Sequence, residues 1–156
     1  MAINPNDKSE IKNLCDYPVS WERKTITGDE YLKANATTYI TNAEIETQIN
    51  NDNPFLKGTD DIGSHASVYI NNPELRESLG FDSKEEKRVQ LIVDDKKCEE
   101  ILALKTPSAF KKNLESNIVT NQEKMKIMNV ARKIKLNSYD KIQELEKYCD
   151  IPFNTK

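Results

Sequence analysis

The residues best suited to chemistry lie close together in one stretch, GTDDIGSHASVYI, residues 58–70. It holds the only histidine, His65, beside Ser64, the adjacent carboxylates Asp60 and Asp61, and two of the four glycines. An imidazole oriented by a carboxylate and set beside a hydroxyl is the raw material of hydrolysis. His65 would be the base and Asp60 or Asp61 its orienting partner. Two features weigh against that use. Neighbouring side chains on an extended strand point to opposite faces, so Ser64 and His65 would diverge. Asp61 is separated from His65 by a glycine turn, and no second strong constellation occurs elsewhere in the sequence. The preferred reading is a turn. Glycine permits it, Asp60 and Asp61 hydrogen-bond local backbone, and His65 caps the strand that follows. In that strand Val68 and Ile70 anchor one face and Tyr69 takes the other.

Other chemistries find less support. NNDNP and GTDD offer oxygen ligands, but the alternating acids, central glycine and distal glutamate of a calcium loop are missing. Cys15, Cys98 and Cys149 are widely spaced, and one histidine does not complete a common zinc set. They read as reduced, buried thiols, so no metal and no cofactor is expected. Neither GxGxxG nor GxxxxGK occurs. The segment NQEKMKIMNVARKIK carries Lys124, Lys126, Arg132, Lys133 and Lys135, and Lys111 and Lys112 extend the set. Interspersed acids dilute it, so a solvated helix face is preferred and direct nucleic-acid binding is not expected.

The elements that must position these residues follow from glycine placement and hydrophobic period. All four glycines fall within residues 1–80, which predicts a β-rich first part and a helical second part. Residues 6–17 read as a short helix with Ile11, Leu14 and Cys15 inward. YPVSWER reads as a strand, ITGDE as a turn, and YLKANATTYI as two short extended pieces. Thr41 and Glu44 form a capping box for a helix burying Ile45 and Ile49. FLKG, ASVYI and VQLIV read as strands. Asn72, Pro73 and Gly80 bracket a helix, and FDSKEEKR reads as a charged hinge loop. From Asp94 onward four helices are predicted. They bury Cys98, Ile101 and Leu102; Phe110, Leu114 and Ile118; Ile127, Met128, Ala131 and Ile134; and Ile142, Leu145 and Cys149. The fold class is α+β: a small antiparallel sheet or partly open barrel followed by a helical C-terminal module. The division is 1–93, β-rich with short helices, and 94–156, helical.

Hydrophobic residues make up 37% of the chain and charged residues 31%, and the apolar positions recur with helix or strand period, which argues against disorder. Residues 1–80 carry 7 Lys and Arg against 13 Asp and Glu, whereas residues 81–156 carry 16 against 13. Neither part has the basic surplus of a phosphate-neutralising surface. No run approaches the roughly 18 apolar residues of a membrane span, and MAINPNDKSEIK lacks the order of a secretory signal. A membrane partner is therefore not expected, and the chain is expected to stay inside the cell unless lysis releases it. Trp21, Tyr31, Tyr39, Phe55 and Tyr69 concentrate in the β-rich part and are the candidate interaction residues, because aromatic side chains favour contact centres.

The order Trp21-x-Arg23, Gly28-Asp29, Glu44-Ile45, Gly58 through Ile70, then Leu79 to Phe81 resembles small prophage-encoded proteins of low-GC Gram-positive bacteria. LALKTPSAFKKNLESNIVTNQEK and YDKIQELEKYC fit the same resemblance. It implies a phage origin and supplies no catalytic residues. The expected function is that of a non-enzymatic bacteriophage virion structural or assembly protein. It would be associated with capsid, connector or tail, and would contact other phage structural proteins or copies of itself. Its expected places are the bacterial host cytoplasm during assembly and the virion. The alternatives are a phage-encoded inhibitor of a host defence system and a small hydrolase using His65.

Overall fold

The computed structural model describes residues 3–154. The protein is α+β, with two small antiparallel sheets and seven helices among the described residues. It divides into two compact units, residues 1–92 and 93–156.

The first unit is built around β1, Lys8–Asn13, the central strand of a three-stranded sheet. β1 is flanked by β4, Thr37–Thr41, and β5, Val68–Ile70, both antiparallel to it. β2, Val19–Glu22, and β3, Asp29–Leu32, form a separate hairpin closed by Arg23 N donating to Gly28 O at 2.9 Å. The sheets are thus separate, and no barrel links them among the described residues. The helix expected over 6–17 is replaced by β1. Its inward residues at period two are Ser9, Ile11 and Asn13, all buried. Only the middle one is apolar. Asn13 Nδ2 donates to Tyr17 O at 2.9 Å and Lys33 O at 3.1 Å, while its Oδ1 accepts from Cys15 N. Ser9 Oγ donates to Asn42 Oδ1 and accepts from Asn72 Nδ2. These partners meet the cost of burying polar side chains in the sheet.

Three helices lie in this unit. α1, Asn42–Asn50, is capped by the Thr41 hydroxyl, which accepts from Glu44 N at 3.1 Å, and it buries Ile45 and Ile49. The expected return bond of a capping box is absent, because the Glu44 carboxylate is turned to residues 24 and 25. FLKG is not a strand. Asn53 caps Phe55 N, Pro54 takes the first helical position, and α2 runs Pro54–Lys57. Gly58 closes it at φ +74, ψ −156, where a Cβ would collide with the Ser64 carbonyl. α3, Pro73–Ser78, follows its Asn72 cap as expected. Arg76 on α3 is buried, and its Nη1 donates to Ile70 O at 2.6 Å across the free side of β5. VQLIV forms no strand, and Val89 is 71% exposed. The expected hinge is a closed turn, with Ser83 and Arg88 exchanging both backbone bonds at 2.8 Å.

The second unit contains α4, Asp95–Leu102; α5, Pro107–Asn117; α6, Asn121–Lys133; and α7, Tyr139–Cys149. Asp94, Thr106 and Thr120 cap the first three, and Thr120 and Glu123 make a complete capping box. The expected core residues Cys98, Ile101, Leu102, Phe110, Leu114, Ile118, Ile127, Met128, Ala131, Leu145 and Cys149 are buried together. Ile134 is the exception. It lies beyond the last turn of α6 and is 44% exposed, because Leu136 N bonds Ala131 O and the chain leaves the helix there. Ile142 is half-buried.

Candidate interaction surface

The GTDDIGSH loop is held by its own polar groups. Thr59 N donates to Ser64 O at 2.8 Å and Gly63 N to Lys57 O at 2.7 Å. Asp60 Oδ1 accepts from Ile62 N and Ser64 N, both at 3.0 Å, and Oδ2 accepts from Arg88 Nη2 at 3.0 Å. The same guanidinium reaches Ser64 Oγ, Ile62 O, Phe81 O and Gly80 O, so one side chain pins two loops. Burial pushes the Asp60 carboxyl up. The Ser64 hydroxyl, the two amides and the Arg88 charge outweigh it and hold the group below the ordinary carboxylate range. Asp61 departs from expectation, facing Lys57 Nζ at 4.0 Å from a left-handed backbone.

His65 is not on an extended strand. Its φ is +58, it is 9% exposed, and its N–H donates to Leu91 O at 2.8 Å. Gly63, at φ +91, permits close approach here, since a Cβ would sit 2.6 Å from Phe81 Cδ2. The loop therefore joins Asp60, Ser64 and Arg88 into a structural clasp with the imidazole largely covered.

The five candidate aromatics separate into packed and displayed groups. Trp21 and Phe55 stack at 5.9 Å between ring centroids, both half-buried against the first unit's core. Tyr69 is half-buried, with the Arg76 guanidinium 4.9 Å from its ring centroid. Tyr31 and Tyr39 are displayed, at 61% and 60% exposure. Tyr39 stands on the outer face of β4, and its hydroxyl donates to Glu10 Oε2 at 3.0 Å across to β1. Ile26, 62% exposed in the β2–β3 turn, joins this display, and sequence reasoning missed it. The available signal was its place in the polar turn KTITG, where an isoleucine has no strand neighbour to pack on. A groove of about 270 Å³ runs between that turn and β4, lined by Lys8, Arg23, Ile26, Thr38, Tyr39 and Thr41 among others.

The groove's far wall is fixed by Glu44, whose carboxylate accepts from Lys24 N, Thr25 N, Thr25 Oγ1 and Gln48 Nε2 at 2.8–3.1 Å. Burial raises its pKa, but these donors prevail and hold it below the ordinary value. Arg23 Nε meets Glu30 Oε2 at 2.9 Å on the same wall.

The cationic helix face is dispersed. Lys126 is 3% exposed, with its Nζ 3.1 Å from Asp95 Oδ1. Lys124 lies 5.1 Å from the Tyr148 ring centroid, and Arg132 donates to Phe153 O, Pro152 O and Asn129 Oδ1. Cys15, Cys98 and Cys149 are buried, and none is in a disulfide among the described residues. No helix among the described residues is long and apolar enough to cross a membrane. The chain matches no protein-family model, no curated protein and no solved structure.

Proposed function

We propose that this chain is a non-enzymatic bacteriophage virion structural or assembly protein that works by protein–protein contact through its first unit. One observation carries the reading: Tyr31 on β3, Tyr39 on β4 and Ile26 in the β2–β3 turn are displayed, while Asp60 and Ser64 are engaged in holding loops. Exposed aromatic and aliphatic side chains on rigid strands are favourable contact centres, because little side-chain freedom remains to be lost on binding. The resemblance to prophage-encoded proteins supports the phage setting. Partners are other virion components or further copies of the chain, met in the host cytoplasm during assembly.

The test is mass spectrometry of purified particles, with pull-down of capsid, connector and tail proteins by the tagged chain. The chain is expected in the particles. Tyr31→Ser combined with Tyr39→Ser should lower incorporation by about tenfold or more. Both side chains are exposed, so that change should alter stability by less than about 1 kcal/mol. Particles lacking the chain, together with no association in the pull-down, would refute the reading.

A further inference from the structure

Among the described residues, β4 carries no second strand on its outer side. Asn13 N donates to Ala36 O at 2.9 Å, and Asn42 N to Asp7 O at 2.8 Å. These bonds set the phase of the β1–β4 ladder, because bonded and non-bonded residue pairs alternate in an antiparallel pair. Ala36, Thr38, Ile40 and Asn42 therefore direct their peptide groups to β1. Thr37, Tyr39 and Thr41, opposite Lys12, Glu10 and Lys8, direct theirs away from it. Among the described residues, nothing bonds the outward N–H and C=O of Thr37 and Tyr39.

The other margin of the sheet is different. Leu14 N to Ser67 O and Asn71 N to Glu10 O set the phase of β5, so Val68 and Ile70 face outward. There Arg76 Nη1 already occupies Ile70 O. β4 has no such cover. Its sequence, TTYIT, contains no charge and no proline, the usual protections of an exposed edge, and it is rich in β-branched and aromatic residues.

Charge in the adjacent groove narrows the occupant. Glu30 is paired with Arg23, and the Glu44 oxygens are filled by backbone and side-chain donors. Lys8 lines the groove and forms no ion pair among the described residues. We propose that the β4 edge is a docking slot for an extended segment of a partner protein, which adds as a fourth strand. It would place apolar β-branched residues toward Ile26 and Ile40 and a carboxylate toward Lys8. Main-chain hydrogen bonds supply affinity in such strand addition, and alternate side chains supply selectivity. A second copy's β4 would set one uncharged strand against another and leave Lys8 without a counter-charge. The inference rests on the protein-contact reading above and specifies its geometry.

The test is an NMR titration of the intact chain with a short N-acetylated peptide of glutamate followed by alternating valine and threonine. Amide shifts should centre on Thr37, Tyr39 and Thr41. Tyr39→Pro removes an outward N–H without removing a bond to β1, so the fold should persist while affinity falls about tenfold or more. Thr37→Pro tests the same point if the first variant does not fold. Tyr39→Val keeps the N–H and should weaken binding less than proline does. Lys8→Glu should weaken it as well. Shifts elsewhere, no shifts, or proline variants that bind as the parent does would overturn the slot. Concentration-dependent broadening of the β4 amides without peptide would overturn it in favour of a second copy. Chain found in particles with no peptide binding defeats the slot alone. Peptide binding with no particle association defeats the assembly reading alone.

Discussion

At the residue scale, Glu44 organises the groove that it helps to line. Its carboxylate gathers backbone and side-chain donors from the turn that walls the groove, and α1 holds it in place. Charged acceptors make the stronger hydrogen bonds, and removing this one takes the carboxylate partner from Lys24 N and Thr25 N. Glu44→Ala should therefore cost about 2–3 kcal/mol, read as a shift in the denaturation midpoint. The sign of its pH effect follows from the depressed pKa. The unfolded state takes up the proton first, so the stabilisation is whole above the ordinary glutamate pKa of about 4.3 and is lost as pH falls through the folded value. Glu44→Gln should flatten the acid limb of a stability-versus-pH curve, whereas a curve unchanged from the parent's would contradict the assignment. Arg88 acts similarly on the 58–65 loop. Its five acceptors explain why a stretch rich in polar groups ends as a clasp.

At the element scale, helix caps separate what is fixed locally from what is not. The Thr120 hydroxyl accepts from Glu123 N, and Glu123 returns the bond to the Thr120 backbone. Ser138, at the equivalent place before α7, makes no side-chain cap bond. Thr120→Ala should thus destabilise by about 1 kcal/mol, and Ser138→Ala by only a few tenths, in paired thermal melts. The helices of the second unit were legible because their signals are local: a capping residue, an apolar stripe at i, i+3, i+7, and a stop. The strands of the first unit were legible only where their inward residues are apolar. β1 was misread because two of its three inward residues, Ser9 and Asn13, are polar. Their partners, Asn42, Asn72 and Tyr17, lie 4 to 63 positions away in sequence. FLKG was misread because its apolar pair suits a strand, while Asn53 and Pro54 supply a helix start that outweighs it. At the candidate surface, aromatic content placed the candidates in the first unit. Only tertiary packing separated Tyr31 and Tyr39, displayed, from Trp21 and Phe55, stacked.

At the scale of the whole molecule, each unit has a core of its own, and the thiols belong to those cores. Burial pushes the Cys98 thiol up to about 12, against the pull of Lys126, and the Cys149 thiol up to about 11. Cys15 is 1% exposed. A buried thiol with a raised pKa offers little thiolate to a reagent. Native protein should react with a thiol-specific chromogen only as fast as it opens, and denatured protein should release three equivalents at once. Rapid labelling of the native chain would contradict the packing. The two margins of the three-stranded sheet carry a consequence of a different kind. Arg76 Nη1 occupies Ile70 O, and Val68 and Ile70 are fully buried, so the β5 margin is covered and strand addition at this sheet would be confined to β4. A partner strand would then meet this sheet at a single margin, and its own outer edge would decide whether pairing continues.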